Sequence, residues 1–145
     1  MQLSPNFALA EFTRSAVAKN RGLSNEPTAA HITNLRRLAN ALETVRVLVG
    51  RAVIITSGYR SPAVNAAVGG VPGSAHGLGH ACDIRVHDTK AKELARRIRD
   101  SGMQFDQLIL ETNRGVVHIS VDPRMRQQVL TQAGGPGTPV MQGIV

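Results

Sequence analysis

One cysteine is too few for an intrachain disulfide, so Cys82 leaves the fold to rest on packing and on whatever metal its ligands can hold. Tryptophan is absent and aromatics are only 3% of the chain, which removes the stacking platform that single-stranded nucleic acid requires. No segment approaches the ~20 consecutive apolar residues of a membrane span. The opening MQLSPNFALAEFTRSAVAKNRG places polar and charged residues where a secretory signal needs an unbroken apolar core, so a soluble chain made in the cytosol is expected. Acidic residues are in the minority: 10 Asp+Glu against 17 Lys+Arg give a net charge of +7. That balance favours anionic partners, among them lipid headgroups, nucleic acid and cell-wall polymers, without choosing between them. With aromatics so scarce, no nucleic-acid partner is expected.

What is present fits a single domain, since 145 residues can bury a core without staples. Ile32, Leu35, Leu38, Leu42, Val45 and Val49 recur at three- and four-residue spacing between Pro27 and Gly50, which predicts a helix over residues 28–49. A shorter helix is expected over Leu9–Val17. Beyond Gly50 the pattern turns to strand over Ala52–Ser57, then a short helix from Pro62, a Gly/Pro-rich loop over 70–79 and a strand over Ala81–Val86. A helix capped by Asp88 or Thr89 follows, then strands Phe105–Glu111 and Val116–Val121 around a tight turn. The domain is expected over residues 1–132, with a tail at 133–145 too rich in Gly and Pro for regular structure. The fold class expected is α+β, N-terminal helices on a small, mostly antiparallel sheet.

Chemistry concentrates in Ser74-Ala75-His76-Gly77-Leu78-Gly79-His80-Ala81-Cys82-Asp83 and in Val117-His118-Ile119-Ser120. Side-chain alternation puts Asp83 on the face opposite Cys82 and Ile84, and His118 opposite Val117 and Ile119. Two strands can thus present Asp83 and His118 to one side, with His76 brought over them by the Gly-rich loop. Two imidazoles and one carboxylate suit Zn²⁺ with a coordination position left for water, whose pKa the metal lowers toward ~7. Spacing alone leaves open that the three are unrelated polar residues in loops and strand ends. Cys82 is assigned to the core by its parity, as an inert thiol. His80 either lines the pocket or lies outside it; His31 and His87 are structural or exposed.

Three ordered motifs add a resemblance: Ser-Gly-Tyr-Arg-Ser-Pro at 57–62, Ser-x-His-x-x-Gly-x-Ala-x-Asp at 74–83 and Val-His-Ile-Ser at 117–120. With Leu3–Phe12 and Phe105–Ile109, they resemble the peptidase M15 family of zinc D-Ala-D-Ala carboxypeptidases and phage endolysins. The likeness covers most of residues 3–122. It implies an M15-type fold with a zinc groove on the sheet, zinc held by His76, Asp83 and His118, and Arg60 and Ser74 beside the substrate. Arg60 offers fixed donors to a carboxylate or an oxyanion.

One departure affects the proton route. Other branches carry a carboxylate three residues before the last ligand, where this chain has Gly115, and often an aromatic before that histidine, where it has Val117. The general base is therefore sought at Glu111, at the end of the neighbouring strand, with Asp106 as the alternative. The expected function is zinc-dependent cleavage of an amide bond in the peptide part of peptidoglycan, by a monomer of phage or prophage origin acting at the cell wall. A non-catalytic cell-wall-binding or virion module on the same scaffold is the alternative. A basic nucleic-acid-binding domain is a further class, supported by charge alone.

Overall fold

Turn-forming residues cut the N-terminal half into helices where their side chains compete with the backbone. The computed structural model describes residues 1–145. Strands β1 (Gln2–Ser4) and β2 (Phe7–Ala8) pair antiparallel, and α1 (Leu9–Thr13), α2 (Ala16–Arg21) and α3 (Ala29–Val49) follow. The single helix expected over Leu9–Val17 is two helices. Arg14 is extended, and the Ser15 hydroxyl accepts from the Ala18 N–H at 3.1 Å, opening a new helix instead of continuing the old one.

Helix α3 agrees with its periodicity. Thr28 accepts from the His31 N–H at 3.3 Å while His31 Nδ1 accepts from the Thr28 N–H at 3.2 Å, so two N-terminal donors are satisfied reciprocally. Gly50 closes the other end in the left-handed conformation, at φ 66°. Leu35, Leu38, Leu42 and Val45 are buried along one face.

Next come β3 (Val53–Ser57), α4 (Pro62–Ala67), a 3-10 turn over Ala75–Leu78, β4 (Ala81–Val86) and α5 (Ala91–Asp100). The cap of α5 is Lys90, not Asp88 or Thr89. Those two residues close a tight turn back onto β4: Asp88 has φ 57° and the Thr89 N–H donates to the Val86 carbonyl at 3.2 Å. The chain ends with β5 (Gln107–Glu111), β6 (Val116–Ser120), β7 (Gln128–Gln132) and β8 (Met141–Gln142). No helix is long and apolar enough to cross a membrane.

Six strands form one sheet in the order β3-β4-β6-β5-β7-β8, antiparallel except between β5 and β7. The class is α+β with a mostly antiparallel sheet. Strands β7 and β8 were not expected. Gly134–Pro139 turns the tail back, and the edge of β7 gains partners: the Gly143 N–H donates to the Val129 carbonyl at 2.8 Å and Thr131 Oγ1 to the Gly143 carbonyl at 2.7 Å. Regular structure in the tail thus comes from an edge whose backbone groups seek partners, which overrides its composition.

The sheet divides the molecule by parity. Cys82, Ile84, Leu108, Leu110, Val117 and Ile119 face α3 and α5 and join Leu38, Leu42, Leu94 and Ile98 in the core. Asp83, Glu111 and His118 lie on the other face, which the helices leave open.

Candidate metal centre

The register sets the centre. Asp83 of β4 pairs directly opposite His118 of β6, as Cys82 does with Ile119, so the side chains of Asp83 and His118 stand together on the open face. His118 Nδ1 lies 3.2 Å from Asp83 Oδ1. The 3-10 turn brings His76 over them, its Nε2 at 3.4 Å from the same oxygen. Ser74 starts that turn by accepting from the His76 N–H at 3.3 Å.

His76 is oriented by a backbone group. Its Nδ1 lies 2.8 Å from the Gly58 carbonyl, which can only accept, so Nδ1 carries the proton and Nε2 of the neutral ring presents a bare lone pair. Burial, the largest influence, lowers the His76 pKa and favours that neutral ring. The Asp83 carboxylate lies between the two imidazoles, its Oδ1 3.4 Å from His76 Nε2 and 3.2 Å from His118 Nδ1. His76 Nε2 and Asp83 Oδ1 therefore meet as two electron-pair atoms with no hydrogen between them. A cation between them resolves that contact, and the atoms offered by His76, Asp83 and His118 all lie within 4.8 Å of one another. Two nitrogens and one oxygen, with Asp83 and His76 1% and 2% exposed, are a donor set that fits zinc with an open position.

Gly58 is a glycine for a steric reason. A β-carbon there would lie 2.7 Å from the Cα of Phe12 and collide with the Phe12 carbonyl, which accepts from the Tyr59 N–H at 2.7 Å. Gly58→Ala should force α1 and β3 apart and shift the carbonyl that orients His76. A loss of roughly 1–3 kcal/mol is expected by denaturant melts, together with weaker zinc binding. Unchanged stability would show that the contact with α1 is slack.

The two carboxylates considered as base have different surroundings. Glu111 is 5% exposed; Arg114 pairs with its Oε1, while Oε2 is buried without a hydrogen-bond partner. Burial first, then the Asp83 charge, raises the Glu111 pKa against the pull of Arg114. Asp106 is tied down: Oδ1 accepts from Arg126 N at 2.9 Å and Nε at 2.8 Å, and Oδ2 accepts from a terminal Arg126 nitrogen at 2.8 Å. Those bonds hold its pKa below the usual range.

A groove of about 290 Å³ runs over the cluster, with Arg60, Ser74, Asp106, Glu111 and His118 along it and Pro136 and Gly137 of the returning tail on one wall. Arg60 is itself largely buried, and its Nε has no partner. Arg114 was missed in the sequence: its guanidinium joins Glu111 and comes within 3.5 Å of Asp83 Oδ2. Only the β5–β6 hairpin carries it there, and nothing in its local sequence signals it. Cys82 is fully buried in the core, where burial pushes its thiol well above the usual range. His80 is buried away from the groove, its carbonyl accepting from the Val121 N–H at 2.8 Å, while His31 caps α3 and His87 is exposed.

A search of the curated proteins finds no match. The family model for peptidase M15 matches residues 5–120, a span that includes all three histidine and aspartate positions of the cluster. The chain therefore belongs to the peptidase M15 family.

Proposed function

We propose that the protein is a zinc-dependent peptidase that cleaves an amide bond in the peptide part of bacterial peptidoglycan, as endolysins or D,D-carboxypeptidases do, and that it works as a monomer at the cell wall after production by a phage or prophage. Membership of the family implies a hydrolase of the metallopeptidase class. The observation that carries the reading furthest is the facing pair His76 Nε2 and Asp83 Oδ1, 3.4 Å apart, next to a Glu111 oxygen without a partner. Zinc held by His76, Asp83 and His118 would supply a Lewis acid for the scissile carbonyl and a more acidic water.

The chain's own residues account for the rest. Glu111 accepts a proton at Oε2 and returns it to the leaving amine, its raised pKa suiting both transfers. Arg114 holds Oε1 and so fixes which oxygen is free. Arg60, with no internal partner, offers its donors to the oxyanion or to a substrate carboxylate. Ser74 borders the same groove and can hydrogen-bond the peptide. The net charge of +7 draws the protein to an anionic envelope.

Digestion of purified peptidoglycan is expected to release new amino groups and no new reducing ends, with chelator abolishing the activity and zinc restoring it. Reducing ends without amines would overturn the peptidase reading. The non-catalytic alternative rests on Gly115, where related branches carry a carboxylate; binding of peptidoglycan without any release of amines would favour it.

A further inference from the structure

The metal groove has its floor on β5 and β6 and a loop along each flank. One loop leads into His76 and contributes Val71, Gly73 and Ser74; the other joins β7 to β8 and contributes Pro136 and Gly137. The first stands over β4 through His76 and the second leaves β7, so the strand order β4-β6-β5-β7 sets them on opposite sides of that floor. Both carry the same turn. The Ser74 N–H donates to the Val71 carbonyl at 3.1 Å, and the Thr138 N–H to the Gly135 carbonyl at 3.2 Å. Pro72 and Pro136 fix φ at about −65° in the second position, and Gly73 and Gly137 in the third have φ 76° and 79°. That combination is a type II turn, whose third position takes glycine or asparagine.

The closing hydrogen bond of such a turn leaves the central peptide group out. The carbonyls of Pro72 and Pro136 accept no hydrogen bond within the protein, and the N–H groups of Gly73 and Gly137 donate none. Both turns are nevertheless braced. Asn65, buried in α4, donates through Nδ2 to the Val71 carbonyl at 3.0 Å. Gln132 donates to the Thr138 carbonyl at 2.8 Å, and Thr138 Oγ1 to the Gly135 carbonyl at 2.7 Å. Each flank therefore keeps one free amide donor and one free carbonyl acceptor in a fixed place, which lowers the ordering cost of binding. No residue of either turn is charged, so what the turns offer matches neutral main chain.

We infer that the two Pro-Gly turns grip a stretch of substrate peptide in the extended conformation, one main-chain edge on the Pro72–Gly73 peptide group and the other on Pro136–Gly137. An extended chain carries N–H and C=O groups along both edges and points its side chains to the two faces, so its edges meet the flanks while its side chains meet the floor and solvent. The inference rests on the peptidase reading and adds how the peptide is held. Family membership does not supply it, because the second turn lies beyond the matched residues 5–120.

The test turns the central peptide group over. Alanine disfavours the positive φ of a type II turn, and the type I turn it favours keeps the closing hydrogen bond with the central peptide reversed. A β-carbon on Gly73 or Gly137 meets no atom within 4 Å, so the change acts on the backbone and not on packing. Binding of a peptidoglycan stem tetrapeptide is measured by calorimetry on zinc-loaded protein carrying Glu111→Gln. Gly73→Ala and Gly137→Ala are each expected to weaken it about 3- to 10-fold, as the loss of one hydrogen bond implies. Gly73→Asn and Gly137→Asn, bulkier but compatible with type II, should bind as the parent does. Gly102→Ala strains a left-handed glycine outside the groove, at φ 80°, and should also leave binding unchanged. Replacing one amide of the peptide at a time by an ester removes its N–H; at least one ester should bind more weakly to the parent, and the alanine variant of the turn it meets should erase that difference. A parent that does not bind the peptide, an alanine effect at one turn only or at neither, an equal loss with asparagine or in Gly102→Ala, or esters that all bind as the peptide does would each overturn the grip. Hydrolysis of the peptide by the unsubstituted protein is followed separately by mass spectrometry. Failure to cleave would count against the peptidase reading, while the binding comparison decides the grip by itself.

Discussion

His76→Ala, Asp83→Ala and His118→Ala are each expected to lose zinc, and with it the hydrolysis of peptidoglycan. The unsubstituted protein should carry one zinc per chain by elemental analysis. The three ligand atoms come from separate supports: a 3-10 turn anchored on the Gly58 carbonyl, and two facing positions of adjacent strands. His76, Asp83 and His118 are the only His, Cys, Asp or Glu residues in the cluster, and Cys82 points into the core. Removing one ligand leaves two, too few for a stable protein-bound zinc. The fold should survive, because the core lies on the opposite face of the sheet. Added zinc should raise the melting temperature of the unsubstituted protein by several °C, since a ligand at 100 times its Kd stabilises by about 2.7 kcal/mol. The variants should show little rise. Zinc near zero in the unsubstituted protein even after metal is added, or full zinc in all three variants, would dismiss the site.

Glu111→Gln should retain zinc and the fold while turnover falls roughly 10²-fold or more, the usual loss when a positioned proton acceptor is removed. The amide replaces the carboxylate without changing its volume, so Arg114 keeps an acceptor but Oε2 no longer accepts a proton. Asp106→Asn is the paired variant, and it should fail differently. Its carboxylate is engaged by three Arg126 groups, so the expected effect is a stability loss of roughly 1–2 kcal/mol, discounted because Arg126 is about one-third exposed. The pH dependence separates the two roles further. With its pKa depressed in the fold, Asp106 contributes stability that is complete above about pH 4, its unfolded value, and is lost as pH falls through the lower folded value. Acid melts of Asp106→Asn should therefore lack that part of the decline. An inactive, zinc-loaded Asp106→Asn beside an active Glu111→Gln would exchange the roles, and two active variants would remove both carboxylates from the proton route.

Much of the framework was legible because it depends on neighbours in sequence. The spacing of Leu35, Leu38 and Leu42 between Pro27 and Gly50 determines α3 through local hydrogen bonds and one buried face. Strand alternation alone separates Asp83 from Cys82 and His118 from Ile119, since adjacent residues of a strand must face opposite ways. Local competition also explains two departures from expectation: Ser15 caps a new helix within the stretch expected as one, and Asp88 is consumed by a turn before α5.

Only the tertiary structure decided the partners of those residues. The β4–β6 register aligns Asp83 with His118, and the β5–β6 hairpin carries Arg114 against Glu111 and Asp83. Arg126, twenty residues along the chain, occupies both oxygens of Asp106 and so distinguishes it from Glu111, although the two look alike as carboxylates flanking one strand. The returning tail supplies β8 and a wall of the groove because the β7 edge offers it hydrogen bonds. Helix periodicity, caps and strand parity act within a few residues and can be read from order alone. Pairings across the sheet, and with them the pKa directions and free valences of the groove, arise when distant segments meet at one register, which the core on the far face of the sheet selects.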